Sequence, residues 1–239
     1  MFKSFFFKNP FKRVCDRSSD VKSGTQLWNK GCWLLIGVLL AQCKGVLSWP
    51  SRSTEAVPFD EVLLHEINQL RSNPSAYGRK LQAWLPYFKG NMLILAGQPR
   101  LMTVEGATAV REAVGVLLTQ KPLPLLRRAS GLTKAAARHV QDQGASGATG
   151  HRGKDGSQVW NRAERFGVWS GEIAENIAYG QNDAQGFLLQ WLVDDGVTNR
   201  SHRETLLGPQ WHYMGAASGA HATYNHMAVL VLAVQYESF

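Results

Sequence analysis

Apolar side chains recur between residues 59 and 70 as Phe59, Val62, Leu63, Ile67 and Leu70, the spacing of a helix with one buried face. Asn73-Pro74 then supplies a capping side chain and a proline suited to the first turn of a second helix, which runs through Tyr77, Leu81 and Leu85. Residues 87–102 hold Gly90, Gly97 and Pro99 and read as a loop. From Thr103 a third periodic stretch carries Val110, Val114 and Leu117, and Lys121-Pro122-Leu123-Pro124 ends it. Ser130 is expected to cap a fourth helix bearing Leu132, Ala135, Ala136, His139 and Val140, with Gly144 just past its end. Five glycines in the thirteen positions from Gly144 to Gly156 predict a loop. Asp183 caps a further helix with Ala184, Phe187, Leu188, Trp191 and Leu192 on its apolar face. Met227 to Val234 is an unbroken apolar run of eight, rich in Val and Leu, which suits a strand covered on both faces. Gly215 to Gly219, with the turn-like Gly219-Ala220-His221, predicts an antiparallel partner before it. Helices on both sides of a small sheet would bury that run, and no internal repeat interrupts the order.

The N-terminal segment has a different character. Gly31 to Ala41 is apolar, too short for a comfortable membrane span but matched to the core of a secretory signal behind a basic region. Residues 1–43 are therefore expected to be a signal peptide or an N-terminal membrane anchor. Leu40-Ala41-Gln42-Cys43 resembles a bacterial lipobox, which makes Cys43 the candidate for lipidation. Polar, proline-bearing residues 44–55 read as a linker, and residues 56–239 as one domain. The net charge of +8 does not change this picture. Seven of the 26 Lys/Arg and two of the 18 Asp/Glu lie in residues 1–43, which leaves an ordinary surface of 19 basic and 16 acidic residues. No nucleic-acid partner is expected; the membrane, through the N-terminal segment, is. All three cysteines (Cys15, Cys32 and Cys43) also lie there, so the domain must stand without a disulfide or a cysteine-ligated zinc.

Familiar catalytic signatures are absent: there is no His-Glu-x-x-His helix, no Gly-x-Ser-x-Gly elbow and no Gly-Lys-Ser/Thr loop. Polar groups gather instead around three glycine-bearing stretches, Gly150-His151-Arg152-Gly153, Gly171 to Gly180 with Glu175-Asn176 inside it, and Asp194 to Arg203 with His202 near its end. These read as turns at the edges of elements, where function concentrates.

His151 in a Gly-His turn, Glu175-Asn176-Ile177-Ala178, the Trp191 helix and His202-Arg203 follow one another in an order that resembles the bacterial branch of the CAP superfamily of cysteine-rich secretory, antigen 5 and pathogenesis-related proteins. The resemblance covers roughly residues 56 to 238. It implies an α+β fold, a three-layer α-β-α sandwich around a small, mostly antiparallel sheet. It also implies a central cleft where two histidines and two acids converge, here His151, Glu175, Asp194 and His202. Asp194 stands three positions after Trp191, where many members carry Glu, and Ala174 replaces the glycine before Glu175.

Two imidazoles and two carboxylates suit two chemistries. Neutral histidines can hold Zn²⁺ or another divalent cation, with His151 and His202 as ligands. Alternatively, a carboxylate orients each ring through an N–H bond and makes a proton-transfer site near neutral pH. Asn176 is a ligand contact or a satisfier of loop N–H groups, and Asp195 competes with Asp194 as the functional acid. Arg152, Arg200 and Arg203 either reach an anionic ligand or stand solvated. His65, His139, His212, His221 and His226 read as surface or packing residues. The expected function is an exported, bacterial, extracytoplasmic protein whose cleft binds a divalent cation and a lipid, glycan or peptide ligand without catalysis. A metal-assisted, peptidase-like hydrolase using Glu175 as general base with His151 and His202 is the rival, and an envelope protein with a vestigial cleft the third reading.

Overall fold

The computed structural model describes residues 57–97 and 100–239. The leader (1–43), its Cys43 lipidation reading and the linker (44–55) lie outside the described residues. In chain order the elements are α1 (Phe59–Ser72), α2 (Pro74–Gln82), β1 (Phe88–Lys89), β2 (Met92–Leu93), β3 (Leu101–Met102), α3 (Ala107–Thr119), β4 (Arg127–Arg128), α4 (Ser130–Ser146), α5 (Val159–Glu164), β5 (Gly167–Tyr179), α6 (Ala184–Val193), α7 (Ser201–Leu207), β6 (Tyr213–His221) and β7 (Asn225–Ser238).

The apolar run 227–234 forms the middle of β7, flanked by β6 and β5 in a sheet of order β4-β6-β7-β5. Both long neighbours pair with β7 antiparallel, while the two-residue β4 lies parallel to β6. Because successive strand residues face opposite ways, the run feeds two cores. Ala228, Leu230 and Leu232 join the cluster containing residues of α1, α2, α3, α6 and α7. Met227, Val229, Val231 and Ala233 join the second, built on α4 and α5. The molecule is an α-β-α sandwich with a mostly antiparallel central sheet.

Local signals operate largely as read. Asn73 accepts the Ala76 amide at 3.2 Å at the start of α2, and Asp183 accepts the Gly186 amide at 2.7 Å at the start of α6. Several expectations change. The second helix ends at Gln82, which leaves Leu85 in the following turn, and Gly219-Ala220-His221, read as turn-like, pairs with β7 as the end of β6. The loop 87–102 contains the small antiparallel meander β1-β2-β3. Ala129, not Ser130, occupies the cap position of α4. Gly144 lies inside α4, which continues to Ser146 and ends at Gly147 with φ +70°. The stretch from Gly171 to Gly180, read as a turn, is mostly the edge strand β5, irregular between Ser170 and Ile173. Glu175 and Asn176 are thus neighbours on a strand and project to opposite faces of the sheet. The short helix α5, closed by reciprocal bonds between Gln158 and Asn161, had no apolar period to announce it.

Candidate functional site

His151 stands on the loop between α4 and α5, and the residue before it is clamped on every side. The Gly150 amide donates to the Tyr179 hydroxyl at 3.0 Å, and its carbonyl accepts from Gln143 Nε2 at 2.6 Å and His139 Nε2 at 2.9 Å. Tyr179 in turn donates to Gln143 Oε1 at 2.9 Å, closing a ring of buried bonds. Since a carbonyl only accepts, His139 carries its proton on Nε2, and its Nδ1 is buried without a partner among the described residues. Burial pushes the His139 pKa below its ordinary value, against the opposing pull of Glu175.

The fixed turn delivers the His151 ring to Glu175, with Nδ1 3.0 Å from Oε1. Arg162 of α5 holds the pair from behind. Its Nη2 donates to Glu175 Oε2 at 2.6 Å, and its Nη1 donates to the carbonyls of His151 at 3.1 Å and Ser157 at 2.9 Å. The Glu175 and Arg162 side chains are 2% and 1% exposed, while His151 is 39% exposed. Burial alone would raise the Glu175 pKa; the bond from His151 and the charges of Arg162, His139 and His151 outweigh it and hold the carboxyl below its usual range. With Nδ1 donating to the carboxylate, the neutral ring keeps its lone pair on Nε2.

Asp194 and His202 form the second pair. Asp194 ends α6 at φ +56°, and its Oδ1 lies 2.7 Å from His202 Nδ1. Its Oδ2 accepts the amides of His202 at 2.9 Å and Arg203 at 3.3 Å, so the carboxylate also caps the first turn of α7. The tight turn from 194 to 200 brings the short Asp194 side chain within reach of the His202 ring and amide. Asn176 is buried and donates to the His202 carbonyl at 3.0 Å, rather than serving loop N–H groups.

The two pairs straddle the edge strand: Glu175 reaches the α4–α5 layer and its neighbour Asn176 the α6–α7 layer. Among the described residues no three His, Cys, Asp or Glu side chains are grouped to hold one metal ion. Glu175 is occupied by Arg162 and His151, and Asp194 by His202 and two amides, so the donor set open to a cation includes neither carboxylate. That donor set does not fit the three-ligand zinc site of a hydrolase.

Three further readings resolve. Asp195 accepts the amides of Val104 at 2.6 Å and Glu105 at 2.9 Å and ties down the loop before α3. Arg200 and Arg203 are neither solvated nor aimed at a ligand. Arg200 grips Glu105 and Glu112, and the buried Arg203 donates to Glu112 and to the carbonyls of Leu192 and Val193. Arg152 is exposed, as a solvated charge would be. Sequence reasoning missed Arg162, Gln143 and Tyr179; only His139 and Gln143, four apart on the buried face of α4, left a signal, that of polar residues at core positions.

The fold agrees with what comparison of the chain finds. The model of the cysteine-rich secretory protein (CAP) family matches residues 64–236, and the chain belongs to that family. Comparison with curated proteins finds no match. Among solved structures, an outer surface protein of Borrelia burgdorferi is similar at 16% identity, with a TM-score of 0.43 over 72% of this chain and 90% of that one. An extracellular SCP-domain protein of Bacillus anthracis is similar at 22% identity and TM-score 0.38, over 47% of this chain and 35% of its own. A cysteine-rich secretory protein of Staphylococcus aureus is similar at 14% identity and TM-score 0.36, over 75% of this chain and 41% of its own.

Proposed function

We propose that the protein is an exported, non-catalytic CAP-domain binding protein whose extracytoplasmic ligand, a lipid, glycan or peptide, meets it at His151. One observation carries this reading. A ring of buried hydrogen bonds and a buried Arg162–Glu175 ion pair fix a single half-exposed imidazole, an outlay of buried polarity that a surface turn does not need. A divalent cation such as Zn²⁺ is taken weakly, through the half-exposed imidazole of His151, with water or the ligand completing the shell. Glu175 acts as the orienting group, since an arginine-paired carboxylate held below its usual pKa is a poor general base.

Calorimetric titration of the full chain with Zn²⁺, alongside turnover of peptide and ester panels, tests this. Weak saturable binding that His151→Ala removes, without turnover, is the expected outcome. Metal-dependent turnover abolished by Glu175→Gln would restore the hydrolase reading. Attachment is assigned to residues 1–43 on the apolar run Gly31 to Ala41 behind its basic region; among the described residues no helix is long and apolar enough to cross a membrane. Palmitate labelling lost in Cys43→Ser is the expected mark of a lipid anchor; labelling-free, membrane-bound protein would point to an uncleaved helix instead.

A further inference from the structure

Beside the first pair, in the α4–α5 layer, lies a cavity of about 400 Å³ lined by Arg138, Asp142, Lys154, Asp155, Ser157 and Arg162. Its size is that of a small-molecule site. Arg138 and Asp142 stand one turn apart on α4, Lys154, Asp155 and Ser157 come from the glycine-rich loop, and Arg162 comes from α5.

The charges do not cancel locally. Asp142 Oδ2 accepts the Lys154 amide at 2.5 Å. Asp155 accepts the Ser157 amide at 2.9 Å and pairs with Arg165 at 2.9 Å. Arg165 offsets the charge of Asp155 and Glu175 that of Arg162, whereas Asp142, bonded only to an amide, keeps its charge, so with Arg138 and Lys154 against it the lining is left net positive by about one charge. Arg138 and Lys154 are exposed, and neither side chain has a hydrogen bond or ion pair among the described residues. Arg162 is spent on Glu175 and two carbonyls, and its buried Nε–H has no acceptor among the described residues, which adds positive potential to the wall. Two cations from different elements, one a planar guanidinium and one a compact ammonium, face a space large enough for an oxyanion and the group that bears it.

We propose that this cavity binds a phosphate-bearing ligand, with Arg138 and Lys154 as its two anchoring cations. The site goes beyond the His151 reading and is tested without touching His151, Glu175 or Arg162. Soluble phosphates and anionic phospholipid headgroups share the required chemistry, and the experiment separates them.

The full chain, in a non-ionic detergent, is titrated with inorganic phosphate by calorimetry, and its partition onto phosphatidylcholine vesicles with and without phosphatidic acid is measured. Saturable phosphate binding should weaken by roughly tenfold or more in Arg138→Ala/Lys154→Ala and stay within about twofold in Lys134→Ala, an exposed lysine one turn earlier on α4. A preference for phosphatidic acid that the double variant loses assigns the phosphate to a lipid headgroup. Phosphate saturation without that preference assigns it to a soluble ligand. Absence of saturation up to about 10 mM phosphate, or equal weakening in Lys134→Ala, overturns the proposal. The two substituted side chains make no bonds, and an unchanged circular dichroism spectrum confirms that the fold is kept.

Discussion

At Glu175 a negative charge sits inside the protein, and both its oxygens are bonded because an unanswered charge there would not be tolerated. Replacing it by the neutral isostere leaves Arg162 buried without its counter-charge. Glu175→Gln should therefore lose about 3–5 kcal/mol at pH 7, roughly 6–20 °C in Tm for a domain of this size. The pH dependence follows from the depressed carboxyl pKa. Its stabilisation is present above the unfolded value of 4.5 and is lost as pH falls through the folded value, so the Tm gap between wild type and variant should narrow below about pH 4. A gap that stays constant down to pH 3 would disprove the buried ion pair. His139 has the opposite chemistry. Buried and neutral, with its pKa pushed below 6.5, it costs stability as pH falls from above 6.5 towards the folded value, where the unfolded chain binds a proton the native state refuses. His139→Gln should flatten the Tm profile between about pH 5 and 7.

Among the elements, α4 and the central strands approach unusually closely, and glycine permits it. A Cβ on Gly144 would lie 2.5 Å from the Ala220 carbonyl, and one on Gly215 would overlap the carbonyl carbon of Leu132 and the Thr133 amide. Alanine normally gains about 1 kcal/mol over glycine within a helix. Gly144→Ala should nevertheless destabilise, by about 1–3 kcal/mol, because backbone must move, and chemical denaturation would read the sign directly. The same contact explains why Gly144 misled as a helix terminator: composition shows a glycine but not the strand packed against it. Elements whose signal is local were legible, namely the helices carrying Leu63, Ile67 and Leu70 or Phe187, Leu188 and Trp191, the two caps Asn73 and Asp183, and the two-faced run 227–234. The strand β5 was not, since Gly171 marks an irregularity and inward-facing Glu175 and Asn176 break the apolar alternation. Their polarity becomes intelligible only with Arg162 and His202 in place. His151, Glu175, Asp194 and His202 stood out by residue type and order, whereas the residues that hold them had no pattern of their own.

On the scale of the whole molecule, the sheet divides the candidate site. The α6–α7 side is stitched by Asp195, Arg200 and Arg203 to α3 and the loop before it, and the α4–α5 side by Arg162, Gln143 and Tyr179. Adjacent strand residues, Glu175 and Asn176, link the two histidine–acid pairs, which makes their coupling measurable. Substitutions that share no partner and lie well apart add to within about 0.5 kcal/mol, while those in one network deviate by about 0.5–3 kcal/mol. Glu175→Gln combined with Arg203→Met, which acts on α3, α6 and α7, should be additive. Glu175→Gln combined with His202→Ala should not, because loss of the ring frees Asp194 Oδ1 and loosens the turn whose His202 carbonyl accepts from Asn176 at 3.0 Å, while a shift of β5 at Glu175 carries Asn176 with it. A coupling energy of at least about 1 kcal/mol in the second double-mutant cycle, read from urea unfolding, is what one cleft built across both faces requires. Additivity in both cycles would make the two histidine–acid pairs independent structural ties, and the shared ligand site would have to be abandoned.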